Sequence, residues 1–319
     1  MNPETPRFIA LPQQSLLQLQ GPDTNKFLQG QVTNDVNGCT PEIWQHNAHC
    51  TPKGRMVANF DTVRTDDETL LLRLPEDTQA ALQASLGKYI VFSKAKLTDI
   101  TGQYRFIGIQ GEGSEDWLTQ QLGFSFTEGH TVIQHNQSIF LKLSEDRVEC
   151  WLPVDSDLPT AFGQIAISED PTPWQLQDIQ AGRGWVVAAT VEEFLPQLLN
   201  LQTPAIQGIN FKKGCYTGQE IVARMHYKGK LKRHMYLLAT NSSQEIAPGV
   251  DVYSGDKIRD GKKQSAGNVV NAIAQEGRTY LLAVVTQEAF ESGNLSLNRD
   301  EADSAENALE RLPQPYTVE

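Results

Sequence analysis

The chain of 319 residues has no long apolar run. No stretch approaches the roughly 20 consecutive apolar residues that a membrane-spanning helix needs. The N-terminus shows no cationic segment followed by an apolar core, which is the mark of a secretory signal. Low-complexity tracts and repeats of solenoid period are also missing. We therefore expect a cytoplasmic protein with no membrane segment, built from more than one domain because one core rarely serves a chain of this length.

Cysteine is scarce, and its placement excludes a disulfide scaffold. The chain contains Cys39, Cys50, Cys150 and Cys215, and none of them belongs to a CxxC pair. A chain of this length can build a core without disulfide bonds, so we expect reduced thiols, as is usual in the cytoplasm. An isolated cysteine is either a small buried side chain or a reactive thiol, and its surroundings decide which.

Metal and nucleotide motifs are incomplete or missing. His46, His49 and Cys50 form an HxxHC pattern, with Cys39 upstream. Zinc sites usually take two closely spaced pairs from separate loops, and only one such pair is present. In a strand, His46 and His49 would also point to opposite faces. Because the metal-ligand pattern is incomplete, we predict no metal site. Because the sequence has neither a GxGxxG segment nor a Walker loop, we also predict no nucleotide-binding loop of these kinds.

Positive charge is concentrated in one segment. The whole chain carries −12, whereas the window from Lys212 to His234 holds seven Lys and Arg residues against one carboxylate, a net of +6. Overall acidity argues against nucleic-acid binding over the whole surface, but local charge can still steer an anion to one site.

The cationic residues of this window are predicted to contact an anionic partner. They are Arg224, Lys228, Lys230, Lys232 and Arg233. We recognise no aromatic-rich platform for single-stranded RNA beside them, which leaves direct contact with RNA open.

A helix start is predicted at the front edge of the same window. Thr217 and Glu220 form a T-x-x-E capping box, which favours Thr217 as the N-cap of a helix that begins at Gly218. Gly214 and Gly218 would allow the backbone to approach a neighbouring group closely. Cys215 then stands just before the first helical turn.

Cys215 is a candidate nucleophile or soft ligand. A thiol near the positive end of a helix, with Lys212 and Lys213 close in sequence, loses its proton more readily than a free thiol. The same backbone N–H groups and lysines would also hold a phosphate or a carboxylate. No base can be assigned to Cys215, and a small buried side chain is the alternative role.

The spacing of strand-like and helical segments indicates an α+β fold, because no regular βαβ repeat occurs. Two alternating runs, MVANFDTV and LLLRL, predict a hairpin. Helices are predicted over 77–86, where Gly87 ends the helix, over 115–122 and over 174–181. From 233 onward, short strands separated by glycine-containing turns are typical of a small β-barrel or sandwich. We predict domains over 1–232 and 233–319, the second ending in a polar tail on the surface.

The segment KKGCYTGQEIVAR at 212–224 resembles the signature of the YgfZ family, folate-binding proteins related to the aminomethyltransferase (T-protein) of the glycine cleavage system. GPDTNKFLQGQVTNDV at 21–36, HCTPKGRM, KYIVFSKAKL and AGRGWVV extend the resemblance over most of the chain. It implies two interleaved α+β domains and a C-terminal β-barrel around a central opening that holds folate. It also implies a role in tRNA modification, particularly thiolation, and in maintaining iron–sulfur enzymes.

The resemblance also implies site residues. Cys215 corresponds to the family's motif cysteine, and Trp174 to a tryptophan associated with folate, whose indole would stack on the pterin. The motif residues that accompany Cys215 are Lys213, Gly214, Tyr216, Thr217, Gly218, Gln219 and Glu220. The cofactor implied is tetrahydrofolate, the partners are iron–sulfur enzymes of tRNA modification, and a monomer is expected.

This chain departs from the related aminomethyltransferases at two places. Val57 and Ala58 stand where those enzymes carry a carboxylate pair, and Asp61 is the nearest acid. Gln14 stands where near relatives can carry a second tryptophan. Because proton handling at the folate nitrogen then has no obvious agent, glycine-cleavage catalysis is not expected. The alternatives are a folate-dependent one-carbon transferase acting on a small amine and a non-catalytic interaction module.

Overall fold

The structure is a computed structural model that describes residues 6–155, 162–229, 231–300 and 307–318. The described residues form two compact units. The first contains residues up to Asn47 together with Phe60–Trp174, and the second contains Ala48–Asn59 together with residues from Gln175 onward. The chain therefore enters the second unit, returns to the first and leaves it again.

Strands are the main elements of both units. The helices are α1 (Thr24–Gln29), α2 (Glu76–Ile90), α3 (Ser114–Leu122), α4 (Thr172–Gln180), α5 (Gln219–Lys228) and α6 (Gln287–Ser292). The strands are β1 (Arg7–Ala10), β2 (Gln14–Gln20), β3 (Gln45–Cys50), β4 (Met56–Asp66), β5 (Thr69–Pro75), β6 (Lys96–Asp99), β7 (Tyr104–Gln110), β8 (Val132–His135), β9 (Ser138–Ser144), β10 (Arg147–Pro153), β11 (Ile167–Ser168), β12 (Arg233–Thr240), β13 (Asp251–Arg259), β14 (Lys262–Gln275), β15 (Arg278–Thr286), β16 (Leu295–Ser296) and β17 (Ala308–Arg311).

A six-stranded sheet in the order β11-β1-β7-β10-β9-β8 lies in the first unit. Its β1–β11 pair is parallel, and the pairs of β7 with β1 and β10 are antiparallel. Successive residues of β10 enter different apolar clusters: Trp151 packs in one, and Cys150 and Leu152 pack in the other. Since side chains alternate across a strand, both faces of this sheet are covered.

A second sheet has the order β3-β4-β5-β2-β6. The predicted hairpin of β4 with β5 is confirmed, with Asp61 opposite Arg73 and Thr62 opposite Leu72. Strand β2 is apolar on both faces: Leu16, Leu17 and Leu19 are all fully buried.

A group of charged side chains is buried in the first unit. Arg73 donates from Nε to Oε1 of Glu149 at 2.7 Å, and its Nη2 pairs with Oε2 of the same carboxylate. Asp61 lies 3.4 Å from Nη1 of Arg73 and 2.8 Å from Nδ1 of His46. Trp151 donates from Nε1 to Glu149 at 2.9 Å. Ionised groups are stable in the interior only when paired and hydrogen-bonded in this way.

The second unit contains a closed barrel in the order β12-β15-β14-β13-β16-β17. The barrel form confirms the expectation from the turn-rich sequence. The expectation that the C-terminal residues form only a polar surface tail is wrong, because β17 pairs with β12 and β16 and places Leu309 in the barrel core. A strand of four residues with one buried leucine gives too weak a period to reveal a closing strand.

The α+β class and the aminomethyltransferase-like organisation are confirmed. Helices α3 and α4 lie within two residues of their predicted bounds. The predicted end of α2 at Gly87 is wrong: the helix continues to Ile90, and a Cβ added at Gly87 would meet no atom within 4 Å. The domain boundary between 232 and 233 stays a prediction. In the part of the chain described, no helix is long and apolar enough to cross a membrane.

Candidate functional site

Cys215 lies in the loop 211–218, which leads into α5, and its side chain is exposed. Asn210 fixes the entry of the loop, because its Oδ1 accepts a hydrogen bond from the backbone N–H of Lys212 at 2.8 Å. The exit is a turn in which the backbone N–H of Gln219 donates to the carbonyl of Tyr216 at 3.1 Å. Both ends of the loop are thus held by hydrogen bonds while the cysteine faces solvent.

The predicted N-cap is wrong. Helix α5 begins at Gln219, and its N-cap is Gly218 rather than Thr217. Gly218 has φ +86°, in the left-handed region that favours glycine. A Cβ at Gly218 would lie 2.5 Å from the carbonyl oxygen of Thr51. A local motif cannot reveal this long-range contact. With it, α5 starts at Gln219, one residue later than the start predicted from Thr217 as the N-cap.

Two glycines from distant segments meet at this helix start. Gly54, in the turn between β3 and β4, has φ +74°, and a Cβ there would lie 2.9 Å from Cβ of Ile221. The Cα of Gly54 is also 3.1 Å from the place where a Cβ on Gly218 would stand. The close approach expected of Gly218 is thus confirmed. At Gly214 it is wrong, since an added Cβ there meets no atom within 4 Å.

The motif residues divide between exposed and buried positions. The exposed residues are Gly214, Cys215 and Glu220. The half-buried residues are Thr217, Gly218 and Gln219, and the buried residues are Lys213 and Tyr216. The ammonium of Lys213 lies 5.0 Å from the centre of the Tyr216 ring, a cation–π contact. Burial, and secondarily the nearby Cys50 thiol, raise the pKa of the Tyr216 phenol, so the ring is neutral at physiological pH.

The other three thiols are unlike Cys215. Cys39, Cys50 and Cys150 are all buried. Burial raises the pKa of Cys39 to about 11, and it raises the pKa values of Cys50 and Cys150 as well. Because the thiolate is the reactive form of cysteine, these three thiols are both inaccessible and protonated at neutral pH.

The predicted anion-binding residues are exposed where the structure describes them. Arg224 and Lys228 lie on α5, Lys232 and Arg233 lie beyond it, and Lys230 falls outside the described residues. In the described part of the chain, no ion pair with a carboxylate is formed by the four described cations or by Lys212. Elsewhere in the chain, Lys142, Lys257 and Arg278 do form such pairs. The charges of the four described cations and of Lys212 are therefore uncompensated.

Sequence reasoning missed an aromatic cluster on α5. Phe211 stacks on His226, with ring centroids 3.7 Å apart and planes within 9° of parallel. Tyr227 packs edge-on against His226 at 4.7 Å and is 67% exposed. The only sequence signal is the adjacent pair His226–Tyr227, because Phe211 lies fifteen positions away in the chain.

Trp174 belongs to the first unit and is 1% exposed. Its indole is enclosed: the guanidinium carbon of Arg147 lies 4.0 Å from the ring centre, and a Cβ on Gly108 would lie 2.4 Å from a ring carbon. The indole N–H has no hydrogen-bond acceptor among the described residues. A pterin would stack on the face that Arg147 covers only after the guanidinium moved away.

The positions that lack the expected carboxylates are apolar and buried in β4. Val57 is 4% exposed and Ala58 is fully buried. Asp61 is also fully buried and is engaged by His46 and Arg73. Asp61 is therefore no substitute for a solvent-accessible acid or base.

Comparison with known proteins gives near full-length matches. No protein-family model matches the chain. A tRNA-modifying protein YgfZ of Pectobacterium atrosepticum is 33% identical over 98% of this chain and 92% of its own length. An uncharacterized protein of Haemophilus influenzae is 31% identical over 98% and 99%. The glycine cleavage system aminomethyltransferase T from Bartonella henselae has the same fold, with a TM-score of 0.73, 13% identity, and coverage of 98% of this chain and 87% of that one.

Proposed function

We propose that this chain, which belongs to the YgfZ family of tRNA-modifying proteins, takes part in tRNA modification in the cytoplasm through the thiol of Cys215. The observation that carries the proposal is the exposure of Cys215 in its motif, since the other three cysteines are buried. The extent of the match, 98% of the chain, supports a shared role rather than a shared fragment.

In this proposal, Cys215 acts as a nucleophile or soft ligand toward species handled by iron–sulfur enzymes of tRNA thiolation. The thiolate is the form that performs either task. Lys213 and Tyr216 hold the loop from its buried side, while Cys215 remains open to a partner. A Cβ added at Gly214 would meet no atom within 4 Å, so the residue before Cys215 leaves room for a ligand.

Tetrahydrofolate is the cofactor that we propose. The surroundings of Trp174 fit such a ligand in two respects: the indole N–H is a buried donor without an acceptor in the described residues, and Arg147 supplies a cation. Pterin rings present hydrogen-bond acceptors, and the glutamate tail presents carboxylates. Trp174 and Arg147 would hold the ligand, which supplies a carrier of one-carbon units when bound.

Glycine-cleavage catalysis is not part of the proposal. Val57 and Ala58 have no groups that transfer protons, and Asp61 is buried among ion partners. A transferase acting on a small amine would need an accessible acid or base near the reacting nitrogen. The thiol function does not have this requirement.

Selective alkylation tests the thiol. With iodoacetamide at pH 8, one fast-reacting equivalent is expected, and Cys215→Ser should remove it. Cys39, with a pKa of about 11, would be only about one part in a thousand thiolate at that pH, and burial slows it further. Mass spectrometry of the labelled peptides gives the rates. The matched variant Cys39→Ser should keep the fast phase, and a fast phase that survives Cys215→Ser would contradict the assignment.

Calorimetric titration with tetrahydrofolate tests the cofactor. Trp174→Phe should weaken binding about 5- to 10-fold, because it keeps a ring but removes one hydrogen-bond donor. Trp117→Phe is the control, since it makes the same change in the same unit, where Trp117 packs edge-on against Phe8. If the wild-type protein gives no binding heat, or if both variants bind like it, the role given to Trp174 is wrong.

A further inference from the structure

The aromatic cluster on α5 consists of Phe211, His226 and Tyr227, and it lies on the surface. Tyr227 is 67% exposed, and His226 is exposed as well. Single exposed apolar residues are common and need no explanation. Three rings in mutual contact are different, because Phe211 and His226 hold each other in a fixed stack and present Tyr227 at its edge.

Uncompensated positive charge lies on the same side of α5 as Tyr227. Arg224 precedes Tyr227 by three residues and Lys228 follows Arg224 by four, so the helical period places all three on one side of α5. Neither cation forms an ion pair in the described part of the chain. Glu220, one turn before Arg224, is the single acid of the window. Lys212, Lys232 and Arg233 add exposed cations at the two ends of the helix.

The two features together fit one class of ligand. A stacked, half-exposed aromatic pair offers a face or edge to a planar ring, and cations at one-turn spacing offer contacts to a chain of anions. Planar rings joined by phosphates are the chemistry of a nucleic acid with unpaired bases. An acidic protein segment would satisfy the cations but would leave the rings without a partner.

We propose that Tyr227, supported by the Phe211–His226 stack, binds an unpaired base of RNA while Arg224 and Lys228 contact the flanking phosphates. The choice of RNA over DNA rests on the proposed function. Each stacked base contributes sequence-tolerant affinity, and each phosphate contact contributes salt-dependent affinity. We call this surface the α5 platform.

Fluorescence anisotropy with a labelled 12-nucleotide oligouridylate is the test. Tyr227→Ala should weaken binding about 5- to 150-fold, as expected for loss of one base stack, with the salt dependence unchanged. Tyr227→Phe should bind like the wild type, because the ring remains. Arg224→Gln should instead reduce the slope of log K against log salt by about 0.7, the value for one phosphate on a single strand. Phe92→Ala is the control, since Phe92 is 88% exposed in the other unit.

Competition separates the possible partners. A duplex RNA of equal length and polyglutamate both lack unpaired bases, so they should compete poorly and should be insensitive to Tyr227→Ala. The inference is overturned if Tyr227→Ala binds oligouridylate as tightly as the wild type, or if polyglutamate competes as well as unlabelled oligouridylate. The α5 platform would then bind an acidic protein surface or have no ligand. Because Tyr227 lies outside the loop 211–218, Cys215 alkylation in Tyr227→Ala reports separately on the proposed thiol function.

Discussion

Under the proposed function, replacement of Cys215 by serine is expected to abolish support of tRNA thiolation without unfolding the protein. The side chain is exposed, and serine differs from cysteine by one atom, so the packing of the loop is preserved. A serine hydroxyl stays protonated at neutral pH and is a poor soft ligand, whereas a thiolate is both a nucleophile and a metal ligand. Thiolated nucleosides from a deletion strain carrying the variant should fall to the level of the deletion itself.

Two controls make this result interpretable. Cys215→Ala should behave like Cys215→Ser, and both should melt within about 2 °C of the wild type, because exposed substitutions rarely change stability by more than about 0.5 kcal/mol. Cys39→Ala removes a buried thiol whose Sγ lies 3.5 Å from the carbonyl oxygen of Thr62, so it should lose stability but keep function. Full rescue by Cys215→Ser would show that the sulfur serves only packing.

Replacement of Arg73 by methionine is expected to cause the largest loss of stability, about 3–5 kcal/mol. Arg73 is 1% exposed and pairs with both Glu149 and Asp61. Its removal leaves two carboxylates in the interior without their cation. The free-energy cost of keeping these charges away from water is then no longer offset by the ion pair. Since the total stability of a folded protein is commonly about 5–15 kcal/mol, urea unfolding should show a large shift of the midpoint to lower denaturant.

The exposed pair Lys257–Glu288 provides the matched control. Its side chains are 51% and 74% exposed, so Lys257→Met should cost at most about 1 kcal/mol. If Arg73→Met does not fold, Glu149→Gln provides the second measurement, because it removes one charge while keeping the shape and leaves Asp61 to pair with Arg73. Equal midpoints for Arg73→Met and Lys257→Met would mean that the buried charges contribute nothing to stability.

Local patterns were enough to predict one hairpin and the barrel form, but not the closing strand β17. The β4–β5 hairpin follows from alternation of apolar residues, and the barrel follows from short strands between glycine turns. The end of α2 and the start of α5 could not be predicted. Helix α2 continues three residues past Gly87 although glycine is a common helix end, and Gly218 at the N-cap of α5 approaches Thr51, which is distant in the chain.

The residue types of the candidate site could be read from the sequence, but their arrangement could not. The glycines, lysines and helix near Cys215 were visible as a motif, whereas the exposure of the thiol depends on how the loop 211–218 packs. The enclosure of Trp174 by Arg147, and the stack of Phe211 on His226, join residues 27 and 15 positions apart. Single-sequence periods do not encode such pairs.

The meeting of Gly54 and Gly218 has an evolutionary consequence. Neither position has space for even a methyl group: a Cβ at Gly54 would meet Ile221 on α5, and a Cβ at Gly218 would meet Thr51. The turn 51–55 and the segment 218–221 must therefore change together: a side chain accepted at one glycine requires a compensating retreat in the other segment. Grafting the cysteine loop of a distant relative onto this chain would succeed only when the relative's turn is transplanted with it.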